Sequence, residues 1–219
     1  VTVALATVAG FLAGRMVWVA GRQALNHSSL ARRNYRDRLV ATAGGLVVAL
    51  AVLVVEGGRA VVGAAGFGAE TPTAIRLGVV LAVVTFALLG LVDDLVPDAT
   101  ARGFRGHLGA LLEGQLTTGG MKLAAGAAAA LVLASIVRPG DHVWGLVRDG
   151  LVIALAANLA NLLDRAPGRM LKCSAAAFVA LVVAAGGAAV VGAVAVAVGA
   201  GLALVLDDLH ERVMLGDTG

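Results

Sequence analysis

Ala74-Ile75-Arg76-Leu77-Gly78-Val79-Val80-Leu81-Ala82-Val83-Val84-Thr85-Phe86-Ala87-Leu88-Leu89-Gly90-Leu91-Val92 is followed at once by Asp93-Asp94. A bilayer's hydrocarbon core, about 30 Å thick, is crossed by about 20 apolar helical residues. The stretch therefore predicts a membrane span over 74–92 that ends in two adjacent carboxylates. Six more apolar stretches, over 1–20, 39–55, 119–137, 148–163, 173–187 and 188–206, repeat the pattern between short charged segments. The expected fold is an all-α polytopic transmembrane bundle of about seven spans, forming a single domain over 1–219.

Composition leads to the same conclusion. The 219 residues are 59% hydrophobic and only 14% charged, with a mean hydropathy of +0.93; a soluble domain is roughly 45–50% apolar and about 25% charged. Small residues such as Ala124-Ala125-Gly126-Ala127-Ala128-Ala129-Ala130 let helices approach closely in lipid, where packing drives association. Cys173 is the only cysteine, which excludes an internal disulfide framework or a cysteine-rich metal site; it reads as filler at a helix start. The basic residues form neither long runs nor an aromatic-interleaved patch, so nucleic acid is not an expected partner. The first stretch reads as a full span rather than a cleavable leader, since no small-residue cleavage site follows it closely. The boundary between the last two stretches, at Gly186-Gly187, fits a hairpin, one long tilted helix or a re-entrant pair equally well.

If all seven stretches span, the polar segments 21–38, 93–118, 164–172 and 207–219 share one side. That side holds twelve basic residues, Arg22, Arg32, Arg33, Arg36, Arg38, Arg102, Arg105, Lys122, Arg165, Arg169, Lys172 and Arg212, against four on the other, Arg59, Arg76, Arg138 and Arg148. The positive-inside rule makes the first side cytoplasmic. Arg15 is the one charge well inside a span. Asp93, Asp94, Asp98, Asp164, Asp207, Asp208 and Asp217 fall on the same cytoplasmic side. Acids contribute little to orientation, and each would cost roughly 2.5–3.5 kcal/mol at the bilayer centre. They are expected at helix ends, aimed at one layer of space.

Three constellations could carry chemistry, although the first also reads as a solvated helix terminus and the third as an ordinary turn. Asp93-Asp94 sits at a helix C-terminus, where acids oppose the macrodipole; adjacent carboxylates suit a hard cation such as Mg²⁺, which takes one or two protein carboxylates plus substrate phosphates. Asn158, Asn161 and Asp164 follow at i+3 intervals and so share one helix face, which should border a polar cavity; two asparagines alone would also serve as interhelical glue. Gly216-Asp217-Thr218-Gly219 allows a backbone to lie close to a ligand. Between the first two lie Arg102-Gly103-Phe104-Arg105-Gly106-His107 and Leu116-Thr117-Thr118-Gly119-Gly120-Met121-Lys122, basic and flexible as a phosphate-rich substrate would require, and equally what membrane topology supplies. His27, His142 and His210 show no ligand spacing.

With Thr42-Ala43-Gly44-Gly45, these landmarks stand in the order seen in the polyprenyl-phosphate N-acetylhexosamine-1-phosphate transferase superfamily, which the chain resembles along nearly its whole length. The superfamily includes the phospho-N-acetylmuramoyl-pentapeptide transferases and the UDP-GlcNAc:undecaprenyl-phosphate GlcNAc-1-phosphate transferases. The resemblance implies a Mg²⁺-dependent, multi-pass enzyme of the cell membrane. At its cytoplasmic face it would move a sugar-1-phosphate from a UDP-sugar to a polyprenyl (undecaprenyl) phosphate, releasing UMP, in cell-wall precursor synthesis. It further implies catalytic and metal roles for Asp93 and Asp94, a metal-ligand role for Asp217, and substrate binding by Asn158, Asn161, Asp164, Arg105, His107, Arg169 and Lys172; within the adjacent pair, base and ligand stay unassigned. The lipid bilayer is a further partner, and a homodimer is left open. The chain departs from the family pattern where Pro167 replaces the second acid of an Asp-Gly-x-Asp-Gly run and where Gly109 aligns with a lysine. Family members also continue into further spans, so the resemblance places C-terminal spans beyond Gly219.

Three other readings compete. An intramembrane aromatic prenyltransferase needs two Asp-rich motifs, for which Asp93-Asp94 with Asp98 is one loose match. A transporter would carry mid-span polar residues and two similar halves. A catalytically silent homologue that binds a lipid-linked precursor or a partner is favoured by Pro167 and Gly109.

Overall fold

The computed structural model describes residues 3–34, 36–68, 73–96, 118–140, 142–185 and 188–219. Backbone polar groups in hydrocarbon must be satisfied within their own segment, which leaves the helix as the economical solution. Among the described residues the helices are α1 (Val3–Leu25), α2 (Gly44–Ala64), α3 (Ala74–Leu95), α4 (Thr118–Val137), α5 (Val143–Leu163), α6 (Arg169–Ala185), α7 (Ala189–Leu202) and the short α8 (Val205–Leu209). Five of them, α1 to α5, are long and apolar enough to cross a membrane. The protein is an all-α membrane bundle. Leu151, Val152, Leu155 and Leu159 on α5 are all exposed, a solvent-facing surface that suits lipid and not water.

The observed elements differ from the seven apolar stretches in instructive ways. α2 runs past Glu56 to Ala64, and α5 begins before Arg148 and Asp149, because these charges are paired and need not lie outside the helix. Glu56 receives Arg59 Nη1 at 2.5 Å and Arg76 Nε at 2.8 Å. Asp149 is bridged by Arg148 at 2.7 Å and Arg138 at 3.2 Å. The last two stretches become helices of 17 and 14 residues, and residues 186–187 between them lie outside the described residues. At about 1.5 Å per residue α7 is too short to span the core. It is tolerated because it sits inside the bundle, packed against α1, α2, α3 and α6. Backbones touch there: a Cβ on Gly10 would lie 2.1 Å from the Val196 carbonyl oxygen, and one on Gly199 would lie 2.0 Å from that of Thr7.

Arg15, the charge inside the first span, donates to the Ala203 carbonyl at 3.1 Å and to Asp207 at 2.6 Å. It thus ties α1 to the α7–α8 corner. A core of Trp18, Val47, Leu204, Val213 and Leu215 fills the same end of the bundle. One element has no counterpart in the hydropathy pattern, a small antiparallel hairpin of β1 (Ala31–Arg33) and β2 (Leu39–Ala41), with Arg32 opposite Val40.

Candidate functional site

The site grows from the join between the hairpin and the last residues of the chain. Ala41 pairs with Val213, and Met214 N donates to the Ala41 carbonyl at 2.7 Å. A helix start leaves amides without partners, and Ala43 has no side chain to cap α2. The need is met by main chain: Gly44 N donates to Met214 O at 3.0 Å and Gly45 N to Leu215 O at 3.1 Å. The chain then turns at Gly216, whose φ of +67° is a left-handed value suited to glycine, and lies flat across α3. A Cβ on Gly90 would come within 1.7 Å of the Asp217 carbonyl oxygen. The Thr42–Gly45 and Gly216–Gly219 landmarks, remote in sequence, are therefore one local structure.

Five carboxylates at this end hold the scaffold together. Asp94 accepts from Asp217 N at 3.4 Å, Thr218 N at 3.2 Å and Thr218 Oγ1 at 2.7 Å. Asp164, the residue after α5, accepts Gly216 N at 2.8 Å. Burial pushes its carboxyl up to about 7; the Gly216 amide opposes this, and the charges of Asp208, Asp217 and Asp94 add to it. Asp208 accepts Gly168 N at 2.7 Å, and burial raises its carboxyl as well. Burial acts to raise Asp207 too, but Arg15 outweighs it and holds that carboxyl below its ordinary value. Glu211 anchors the hairpin, with Arg36 at 2.7 Å, Arg38 at 3.5 Å and Asn34 Nδ2 at 3.0 Å.

Asp93 and Asp217 are placed differently. Lys122, at the start of α4, donates to Asp93 Oδ2 at 3.1 Å and also to Asp217 Oδ2. Burial acts to raise the Asp217 carboxyl, yet its hydrogen bonding with Asp93 and Lys122 outweighs this and holds it below its ordinary value. Asp93, Lys122 and Asp217 lie on the wall of a cavity of about 720 Å³ that runs among the helices and is lined further by Phe86, Asn158 and Asn161. Beside it is a polar pocket of about 370 Å³, bounded by Arg32, Thr42, Asp94, Asn161, Asp164 and Arg165. Asn161 and Asp217 border both spaces. One space is greasy with a charged floor, and the other is polar.

Of the residues singled out from sequence, Asp93, Asp94, Asn158, Asn161, Asp164 and Asp217 come together. Arg169 and Lys172 line neither space; Arg169 Nε donates to the Leu163 carbonyl at 3.0 Å, and Lys172 acts electrostatically on Asp208. Asp98, Arg102, Arg105, His107 and Gly109 lie outside the described residues. Sequence reasoning gave no individual role to Lys122, Thr218, Arg32 or Arg165. Lys122 stood out only as part of a basic, flexible segment on the shared side, since nothing in a run of glycine and threonine reveals its two carboxylate partners.

Among the described residues no group of three or more His, Cys, Asp or Glu side chains is arranged to hold a metal ion. Asp93 and Asp217 supply two carboxylates that already converge on one ammonium. This donor set fits Mg²⁺, which completes its octahedron with waters and substrate phosphates rather than a protein cage. No family model matches the chain, and no curated protein matches it significantly.

Proposed function

We propose that the protein transfers a sugar-1-phosphate, of N-acetylhexosamine type, from a UDP-sugar to a polyprenyl phosphate at the cytoplasmic membrane face and releases UMP. The observation that carries this is the meeting of Asp93 and Asp217 on one cation at the junction of an apolar cavity and a polar pocket. A lipid-borne acceptor and a water-soluble donor need such a junction. In the reaction an oxygen of the lipid phosphate attacks the phosphorus that bears the sugar, the bond from that phosphorus to the bridging oxygen breaks, and UMP leaves with that oxygen. Phosphoryl transfer asks little covalent chemistry of a protein and much positioning and charge neutralisation.

The residues divide the work. The apolar cavity receives part of the prenyl chain, and Lys122 at its floor neutralises the lipid phosphate. Asp93 accepts a proton from that phosphate when it arrives protonated. Asp93 and Asp217 are the groups that would hold Mg²⁺, which, when bound, supplies charge neutralisation at the transferring phosphoryl group. Asp94 is a positioning residue: its three acceptances fix the 217–218 backbone, and with it the Asp217 side chain. Asn158 and Asn161 offer neutral hydrogen bonds along the cavity wall.

The test is to incubate purified protein in detergent with undecaprenyl phosphate, a panel of UDP-sugars and Mg²⁺, and to follow UMP. Release with one donor, lost in Asp93→Asn and Asp217→Asn, supports the proposal. A folded sample that releases no UMP with any donor overturns it. The silent-homologue reading draws on Lys122 occupying the cation position and on Pro167; it is favoured instead if the protein retains undecaprenyl phosphate without turning it over.

A further inference from the structure

We infer that the polar pocket is a diphosphate-binding site in which Arg165, with Arg32 on the same pocket's wall, grips the phosphates of a soluble nucleoside diphosphate. The inference rests on the proposed reaction for its substrate class, but its structural argument is separate. The pocket's acids are already engaged: Asp94 by the Thr218 amide and hydroxyl, Asp164 by the Gly216 amide and Asp217 by Lys122. Those amides and that hydroxyl satisfy oxygens of Asp94 and Asp164 without cancelling their charge. Arg32 donates to the carbonyls of Ser29, Ala31 and Asp94, and no carboxylate pairs with it among the described residues. Arg165 lines the pocket and, among those residues, has no hydrogen-bond or ion-pair partner. Arg165, exposed on the pocket wall, is thus the lining cation left without a protein partner among the described residues, and a phosphate oxygen from outside is the partner assigned to it, with Arg32 beside the same space.

The backbone that carries Arg165 is held in advance. Asp164 is tied to Gly216, Gly168 N to Asp208, and Gly168 itself takes a φ of +69°. A rigid mount loses little freedom on binding, which favours affinity. Guanidinium forks match phosphate oxygens in pairs, and a volume of about 370 Å³ lies within the usual range for small-ligand pockets. The polar lining separates this space from the apolar cavity, so the occupant is the soluble donor and not the lipid.

The experiment is a binding titration of purified protein with UDP, inorganic pyrophosphate and uridine, with Mg²⁺ and with a chelator, repeated in the presence of phosphatidylglycerol. Arg165→Gln is expected to weaken UDP and pyrophosphate about tenfold, about 1.4 kcal/mol, and to leave uridine unchanged. Arg165→Lys should fall between. Arg33→Gln, on the hairpin but outside the pocket, should bind as the unaltered protein does, and the ligand-free melting temperature of Arg165→Gln should not move. The inference is overturned if the unaltered protein binds neither UDP nor pyrophosphate, if Arg165→Gln binds them normally, or if phosphatidylglycerol displaces UDP in an Arg165-dependent way. Arg165-dependent UDP binding without UMP release sinks the transferase and leaves this site standing. UMP release with an unchanged donor KM in Arg165→Gln does the reverse.

Discussion

Both ends of the bundle carry ion pairs, yet they use them differently. At the end where α2 finishes and α3 begins, Glu56 sits between Arg59 and Arg76, and Asp149 between Arg138 and Arg148. Each acid there meets arginines on its own helix or on the element adjacent to it along the chain. At the opposite end the acids reach main-chain amides and cations far away in sequence: Asp94 holds residues 217–218, Asp164 holds Gly216, and Asp208 holds Gly168. The first arrangement pins neighbouring helices. The second builds walls around two spaces and leaves Asp93 and Asp217 together on the Lys122 ammonium. The two ends thus differ in where their carboxylates find donors: on nearby arginines at one, on distant main chain and on Lys122 at the other.

The largest effect should come from breaking the candidate site at its centre. Asp217→Asn removes one of the two carboxylates facing Lys122, and UMP release should fall by about a thousandfold, the upper scale for losing a charge-stabilising group at a reacting centre. The melting temperature should hardly change, because Asp217 makes its scaffold contact through its backbone amide. An equally large loss of melting temperature would make Asp217 a structural residue. Next is Gly90→Val, which drives a side chain into the Asp217 carbonyl. A displacement of about 1 Å at a reacting group costs about a hundredfold, so activity should drop by about that factor with both Asp93 and Asp217 still present. Full activity in this variant would mean that the loop does not need to lie against α3.

The contrast between the two ends also explains what could be read from the residues alone. Hydropathy located the helices well because lipid imposes one requirement along their whole length, and the clustering of acids on one side pointed to the end that holds the candidate site. Their separate tasks were hidden. Asp93 and Asp94 are indistinguishable neighbours in sequence, but a rotation of about 100° per residue sends one toward the cavity and Lys122 and the other toward the terminal loop. The hairpin over 31–41 was missed because three-residue strands leave no periodic trace, and its anchor, Glu211, lies at the far end of the chain. Arg169 and Lys172 drew attention as cations beside the asparagine stripe, whereas the turn at Gly168 directs them away from both spaces. The helix ends of α2 and α5 were misjudged for one common reason: a paired charge can stay inside a helix, and pairing is a tertiary fact.

Breaking the structural end should produce the opposite signature. Glu56→Gln leaves two arginines facing one neutral amide near the membrane boundary, and breaking a largely buried pair costs about 3 kcal/mol. Thermal unfolding in detergent should register that loss while UMP release and donor KM stay as they were. Loss of activity at a temperature where the variant is still folded would show that the two ends are coupled.

The smallest effect concerns Asp164, a carboxylate held by the distant main chain of Gly216. Burial raises it to about 7 in the folded protein, against about 3.9 for an unperturbed aspartate. Between those values the folded state holds a proton that the unfolded state has released, so stability falls as pH rises through the window and levels off above 7. Asp164→Asn can still accept the Gly216 amide but cannot ionise. Measured with a chelator present, the variant should match the unaltered protein near pH 4, gain on it steadily up to pH 7 and stay a few degrees more stable at pH 8. A gap that is constant with pH would mean that Asp164 is not protonated in the fold, and would move it from the scaffold to the side of Asp93 and Asp217.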